Sequence, residues 1–214
     1  MTATNSKRSG TVYIVDDDAS FLRSLSRLLT ALGYAVEAYA SAQDFFARPA
    51  PDRPGCVVAD LQMPDINGLQ LQDQLRRSSE PLPVIFLTGQ GDIPSTVSAM
   101  RSGAEDFLTK RAPQQELLDA VERALARDAH QRQQRTRQRE LSLRFDELSG
   151  REKEVLSHVV RGRMNKQIAA DLNINLRTVK LHRTNITRKL NVQSVAELTR
   201  MVDESGFFQA PEND

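Results

Sequence analysis

The sequence is poor in the means of cross-linking and of membrane insertion: it holds one cysteine among 214 residues and no apolar run near the ~18 residues of a membrane span. A single thiol excludes a disulfide framework within the chain. Cys56 opens an apolar run, where a buried inert thiol is expected rather than a redox sensor. Residues 1–10 are polar and carry no signal-like apolar stretch, so the protein is expected to be cytoplasmic, with no membrane partner. An excess of one charge is also missing, since the formal net charge is +1. The balance hides an asymmetry: residues 1–128 carry 13 basic against 17 acidic side chains, and residues 129–214 carry 16 against 11. An acidic half suits cation binding, and a basic half suits a polyanionic partner. At this length each half can bury its own core, and two domains are expected.

The first half is organised around Cys56 to Gly68, where a short β-branched run stops at Asp60 and breaks into a loop at Pro64 and Asn67-Gly68. Leu69 to Arg77 restarts with helical spacing. The same alternation surrounds it. Thr11 to Val15 forms a strand that ends in Asp16-Asp17-Asp18, and a helix follows from about Ala19 to Leu32, stopped by Gly33. Ala35 to Tyr39 is a second strand, and Ser41 caps a short helix through Phe45-Phe46. Beyond the Pro49 to Gly55 loop and the Asp60 strand come strands at Pro83 to Thr88 and Glu105 to Thr109. Gly89-Gln90-Gly91 opens a helix through Met100, and Pro113 to about Arg127 is a fifth helix. Five βα units predict a parallel sheet of order 2-1-3-4-5, the flavodoxin-like arrangement, with ligands expected outside the carboxyl ends of its strands.

That order places Asp16, Asp17 and Asp60 in one pocket, where like charges repel and a cation must share the space. A hard divalent ion with oxygen ligands, Mg²⁺ or Mn²⁺, satisfies this, and Lys110 adds a fixed positive charge. Thr88 adds a hydroxyl donor at the end of its strand. The bland alternatives are a strand-end aspartate that merely forms a turn, and a lysine that merely neutralises an acidic cluster.

These residues resemble the receiver domain of two-component response regulators. The resemblance rests on Val15-Asp16-Asp17-Asp18, Asp60-Leu61-Gln62-Met63-Pro64-Asp65-Ile66-Asn67-Gly68, Leu87-Thr88-Gly89-Gln90-Gly91-Asp92 and Gly103-Ala104-Glu105-Asp106-Phe107-Leu108-Thr109-Lys110. It implies that Asp60 accepts a phosphoryl group from a sensor histidine kinase. It also implies that Asp17, Asp60 and the backbone carbonyl of Gln62 hold the metal, with Asp16 supporting through water. Lys110 would pair with the phosphoryl oxygens, and Thr88 with Phe107 would report phosphorylation to the surface. One departure is Arg111, where the family usually has proline. A non-proline cis bond costs ~2.5–4 kcal/mol, so the Lys110–Arg111 peptide is expected to be trans.

Residues 128–144 read as a Gln- and Arg-rich linker that is solvated and able to extend the fifth helix. Residues 145–208 then read as four helices. Ser149 with Glu152 makes a capping box ahead of Val155, Leu156, Val159 and Val160, and Asn165 caps a short helix carrying Ile168, Ala169 and Leu172. Asn173-Ile174-Asn175 turns into a helix from about Leu176 to Leu190, and Ser194 with Glu197 caps the last helix. At ~100° per residue, Val179, Ile186 and Leu190 share one face of the third helix, while Arg177, Lys180, Thr184, Thr187 and Arg188 share the other. This unacidic face predicts a recognition helix, with Arg183, Lys189 and Lys166 nearer phosphates. Thr178 and Leu181 complete the expected DNA-binding set. A solvated charged face is the competing reading. His182 is expected to pack or hydrogen-bond, because no second metal-binding side chain is spaced to join it.

Leu148-Ser149-Gly150-Arg151-Glu152, Asn165-Lys166-Gln167-Ile168-Ala169, Thr178-Val179-Lys180-Leu181-His182-Arg183 and Arg188-Lys189-Leu190 resemble the LuxR-type helix-turn-helix. The domains expected are thus a polar tail at 1–10, an α/β receiver at 11–127, the linker, an all-α helix-turn-helix domain at 145–208 and a tail at 209–214. The whole is similar to FixJ-type response regulators. That resemblance implies promoter DNA and RNA polymerase as partners, a homodimer on phosphorylation, and usually activation of transcription. Two other classes stay open: a phosphorylation-independent DNA binder with a degenerate receiver, hinted at by Arg111, and a phosphatase-like enzyme. No separate general acid–base residue favours the enzyme, so none is expected.

Overall fold

The computed structural model describes residues 10–48, 53–89 and 93–208. The expected tails at 1–9 and 209–214, most of the Pro-rich loop, and Gln90-Gly91-Asp92 lie outside the described residues. The chain divides into two units, at 1–132 and 133–214.

In the first unit, β1 (Thr11–Val15), α1 (Ala19–Ala31), β2 (Ala35–Tyr39), α2 (Ala42–Ala47), β3 (Gly55–Ala59), α3 (Gly68–Arg77), β4 (Val84–Thr88), α4 (Ile93–Arg101) and β5 (Asp106–Thr109) alternate. The helix α5 (Gln114–Asp146) follows. The sheet is parallel, in the order β2-β1-β3-β4-β5. Strands β1, β3 and β4 are buried throughout, which explains their unbroken apolar sequences, while edge strand β2 is partly exposed. The two-residue period still sorts their side chains. Val12, Ile14, Cys56, Val58, Ile85 and Leu87 face a layer with Leu22, Leu25 and Leu29 of α1 and Leu117, Val121 and Leu125 of α5. Tyr13, Val15, Val57, Ala59, Val84 and Phe86 face the other side, against Phe45, Leu71, Leu75 and Ala99.

Helix starts follow local chemistry. Asp18 caps α1 by accepting the amides of Ser20 and Phe21, Ser41 caps α2, and Asn67 with Gln70 forms a reciprocal capping box on α3. Gly68 has a steric reason to be glycine: a Cβ there would lie 2.5 Å from the carbonyl oxygen of Asp60 and 2.8 Å from the Phe86 ring. The loop after β3 can fold back under the strand end because nothing projects from this position.

The second unit holds α6 (Gly150–Val160), α7 (Asn165–Asp171), α8 (Leu176–Leu190) and α9 (Val195–Ser205). Helix α8 packs on α6 and α7, and α9 packs on α6. The core gathers Val155, Leu156, Val159, Ile168, Val179, Ile186, Leu190, Leu198 and Val202. It also takes in Leu141 and Phe145 from the last turns of α5, with Phe145 stacked on Phe207 at 4.5 Å. The expected linker does extend the fifth helix and is mostly exposed, but its two ends differ from a solvated tether. Residues 128–144 are helical, Asp128 and Leu141 are buried, and two apolar residues at i, i+4 spacing suffice to join a core.

Two caps also differ. Met164 occupies the N-cap of α7, and the Asn165 side chain turns instead to Arg183. Glu197 reaches back to the amide of Gln193, while Ser194 caps α9 as expected.

Candidate functional site

Asp16 and Asp60 each follow the last residue of a central strand, and cross-strand bonds hold them there. The Asp16 amide donates to the Tyr39 carbonyl at 3.1 Å, and the Asp60 amide donates to the Val15 carbonyl at 2.9 Å. The sheet order thus converts two distant sequence positions into neighbours. Lys110, just past β5, places its Nζ 2.7 Å from Asp16 Oδ2 and 2.7 Å from Asp60 Oδ2. Asp60 Oδ1 also accepts the Gln62 amide at 3.3 Å. Asp16 is 1% exposed and Asp60 8%, whereas Asp17 faces solvent.

Burial pushes the Asp16 carboxyl up from its ordinary value, although the bond from Lys110 opposes the shift. Burial also works against the Lys110 charge, but its contacts with Asp16 and Asp60 outweigh that and raise its pKa, so the ammonium stays protonated. One oxygen from each of Asp16, Asp17 and Asp60 lies within 4.8 Å of the others. Three hard, anionic donors with one lysine leave negative charge uncompensated, and this donor set fits a divalent cation that prefers oxygen.

Thr88 is 1% exposed at the end of β4, and Phe107 is half-buried, its ring 6.0 Å from that of Phe86. The Arg111 departure is absorbed locally. Among the described residues no peptide bond is cis, and the Ala112 amide donates to the Thr109 carbonyl at 2.9 Å to make the turn. The sequence missed Phe21, whose ring lies 4.5 Å from Lys110 Nζ. Nothing in the spacing of a helix distinguishes a core phenylalanine from one that covers a lysine.

In the second unit the expected faces of α8 separate. Val179, Ile186 and Leu190 are buried, while Arg177, Lys180, Thr184 and Arg188 are exposed, as are Lys166 on α7 and Leu181, at 58%. Thr178 and Thr187 are half-buried. Asn175 caps the helix by accepting the Arg177 amide, and Asn191 ends it in the left-handed region at φ 52°.

Two members of the expected phosphate-binding set are otherwise engaged. Arg183 Nη1 donates to Asn165 Oδ1 at 2.8 Å, and Lys189 Nζ donates to Glu152 Oε2 at 2.7 Å and to the Glu147 carbonyl at 3.0 Å. The capping box made Glu152 visible in the sequence. Its second partner lies 37 residues away, beyond the reach of any local pattern. His182 is half-buried, with its Nδ1 enclosed and without a hydrogen bond to the described residues.

Residues 12–122 match the family described as "Response regulator receiver domain", and residues 146–202 match "Bacterial regulatory proteins, luxR family". The response regulator protein TodT of Pseudomonas putida is 42% identical over 198 residues, which cover 92% of this chain and 87% of TodT. The transcriptional regulatory protein FixJ of Rhizobium meliloti is 40% identical over 197 residues, covering 92% of this chain and 97% of FixJ. Among solved structures, the response regulator StyR is similar with a TM-score of 0.79 and 45% identity, over 92% of this chain and 100% of that one. A parallel 2-1-3-4-5 sheet with clustered aspartates, followed by a helix-turn-helix with a cationic face, accords with both matches, and the chain belongs to the response regulators that join a receiver domain to a LuxR-type DNA-binding domain.

Proposed function

We propose that Asp60 is the phosphoryl acceptor and that a sensor histidine kinase is the donor. The observation that carries this reading is the shared position of Lys110 between Asp16 and Asp60 at 2.7 Å from each. In the transfer a carboxylate oxygen of Asp60 forms the new P–O bond as the P–N bond of a phosphohistidine breaks, and the imidazole leaves. The Lys110 ammonium meets the charge on the incoming phosphoryl oxygens, and Thr88 donates its hydroxyl to them. Asp17, Asp60 and the Gln62 carbonyl would hold Mg²⁺ or Mn²⁺, with Asp16 acting through water. A divalent ion there supplies charge neutralisation and alignment of the phosphoryl group. The protein transfers no group onward to a small substrate in this reading and is a regulator rather than an enzyme.

Thr88 and Phe107 form the switch, since a ligand shifts a conformational equilibrium only through differential contacts in the two states. The surface that responds runs over α4 and β5, and Val97 and Met100, both exposed on α4, support a homodimer there. The switch acts on transcription through promoter DNA, which α8 enters by the major groove with Lys180 and Thr184 nearest the bases. Arg177, Thr178, Leu181, Arg188 and Lys166 surround them. The bound dimer engages RNA polymerase in the cytoplasm and activates transcription. The receiver takes residues 11–127, and the DNA-binding domain takes 145–208 with the last turns of α5 added to its core.

Comparing DNA binding and sedimentation with and without a stable phosphoryl mimic tests the reading. It predicts dimers and tighter binding with the mimic in the wild-type protein. Equal mass and equal affinity in both states contradict it.

A further inference from the structure

We propose that Lys189 and Glu152 form a positioning pair that sets the seating of the recognition helix, and that Lys189 does not contact DNA phosphates. The proposal rests on the reading of α8 as the helix that enters the groove. Glu152 stands in the first turn of α6 and is 4% exposed. Its Oε2 accepts the Ser149 amide at 2.8 Å, closing the capping box, and the same oxygen takes the Lys189 ammonium at 2.7 Å. The ammonium donates a second bond to the carbonyl of Glu147, the first residue past α5. Two of its three N–H groups are therefore spent on the protein. Lys189 is half-buried in the last turn of α8, while Arg188 faces solvent.

Electrostatics decides between the two uses of this lysine. A phosphate could draw Lys189 away from Glu152 only by stranding a buried carboxylate, and an unpaired buried charge costs more than one solvent-screened phosphate contact returns. Burial works against the Glu152 charge, but Lys189 and Ser149 more than offset it and hold the carboxyl below its ordinary value. The pair therefore stays formed and charged near neutral pH. It ties the end of α8 to the start of α6 and to the α5–α6 corner. The Arg183–Asn165 bond makes a second tie, between the middle of α8 and α7. Held by these ties, the helix presents Arg177, Lys180, Thr184 and Arg188 at a fixed rotation, and that rotation determines which base edges are read.

The test uses the full-length protein with Lys189→Met, Glu152→Gln, the double variant and Arg188→Ala. Binding is measured on a duplex selected from a random pool by the wild-type protein and on a scrambled duplex, across a salt series. The pair predicts that each single substitution lowers the selected-over-scrambled ratio by about tenfold, as expected for losing one good base contact, and that the double variant regains most of it. It also predicts that Lys189→Met leaves the slope of log affinity against log salt unchanged, whereas Arg188→Ala lowers it by ~0.9.

A slope that falls by ~0.9 for Lys189→Met, with or without Glu152→Gln, would overturn the proposal. So would unchanged discrimination accompanied only by a lower melting temperature, which is the mark of a purely structural pair. Should a single variant fail to fold, the double variant still decides through its slope. An unchanged slope for Arg188→Ala would instead count against α8 lying on DNA, which keeps the two failures apart.

Discussion

The backbone amide of Lys110 donates to the carbonyl of Thr88 at 2.8 Å, so the lysine and the hydroxyl proposed to bind phosphoryl oxygens leave adjacent strand ends that are tied together. This bond continues the β4–β5 pairing one residue beyond Thr88 and Thr109. It fixes where the Lys110 side chain starts, and the carboxylates fix where it ends.

Removing that ammonium should expose the repulsion it suppresses. Lys110→Met is expected to destabilise the receiver by on the order of 2–3 kcal/mol, less than for a fully enclosed pair because Lys110 retains 19% exposure. Added Mg²⁺ should restore more stability to the variant than to the wild type, since binding to the folded state stabilises by mass action. Urea midpoints with and without Mg²⁺ check this. A variant as stable as the wild type without metal would mean that the carboxylates tolerate one another.

Gly68→Ala is expected to cost about 1–3 kcal/mol by overpacking, because the new Cβ would meet the Asp60 carbonyl, which is backbone and cannot swing aside. The displacement falls directly under the acceptor, so phosphorylation should slow as well. Normal stability and a normal labelling rate would show that the loop after β3 has slack.

The DNA-binding unit should begin within α5. A fragment covering 133–214 keeps Leu141 and Phe145 in the core, as well as the Arg137–Glu204 pair at 2.7 Å. A fragment covering 147–214 loses all three. Deleting a buried phenylalanine alone costs about 3–5 kcal/mol, so the longer fragment should melt well above the shorter one. Equal melting temperatures would return these turns of α5 to the status of a linker.

Glu152 gives the second unit a pH dependence of known sign. Its carboxyl is held below its ordinary value in the folded state, against burial, by Lys189 and Ser149. Its contribution is therefore full above the unfolded pKa of ~4.3 and is lost as pH falls through the lower folded value. Denaturant midpoints of the 133–214 fragment should drop on acidification below about pH 4, and Glu152→Gln should flatten the drop. An identical acid response in the variant would assign the effect to other carboxylates.

What the sequence revealed and what it hid follow from the range of each interaction. The strands, the sheet order and the convergence of Asp16, Asp60 and Lys110 were legible because apolar runs and strand-end carboxylates are local signals and parallel topology has few solutions. The faces of α8 were legible from its period, since Val179, Ile186 and Leu190 are buried as their spacing requires. Pairings between helices were not. Lys189 has the same sequence character as Arg188, and only the distance to a carboxylate 37 residues earlier separates their roles. Leu141 and Phe145 were hidden by the polar residues around them, which dilute the periodicity of a 33-residue helix to almost nothing. Asn165 looked like a cap because its residue type favours one, but the helix begins one residue earlier and the side chain serves Arg183.

The central claim is that Asp60 carries the phosphoryl group. Wild-type protein and Asp60→Asn should be incubated with acetyl phosphate and Mg²⁺, and the extent and position of labelling read by mass spectrometry. The predicted result is a single label on Asp60 in the wild type and none on the variant. Labelling of Asp60→Asn at the wild-type rate would contradict the assignment and move the acceptor elsewhere in the chain.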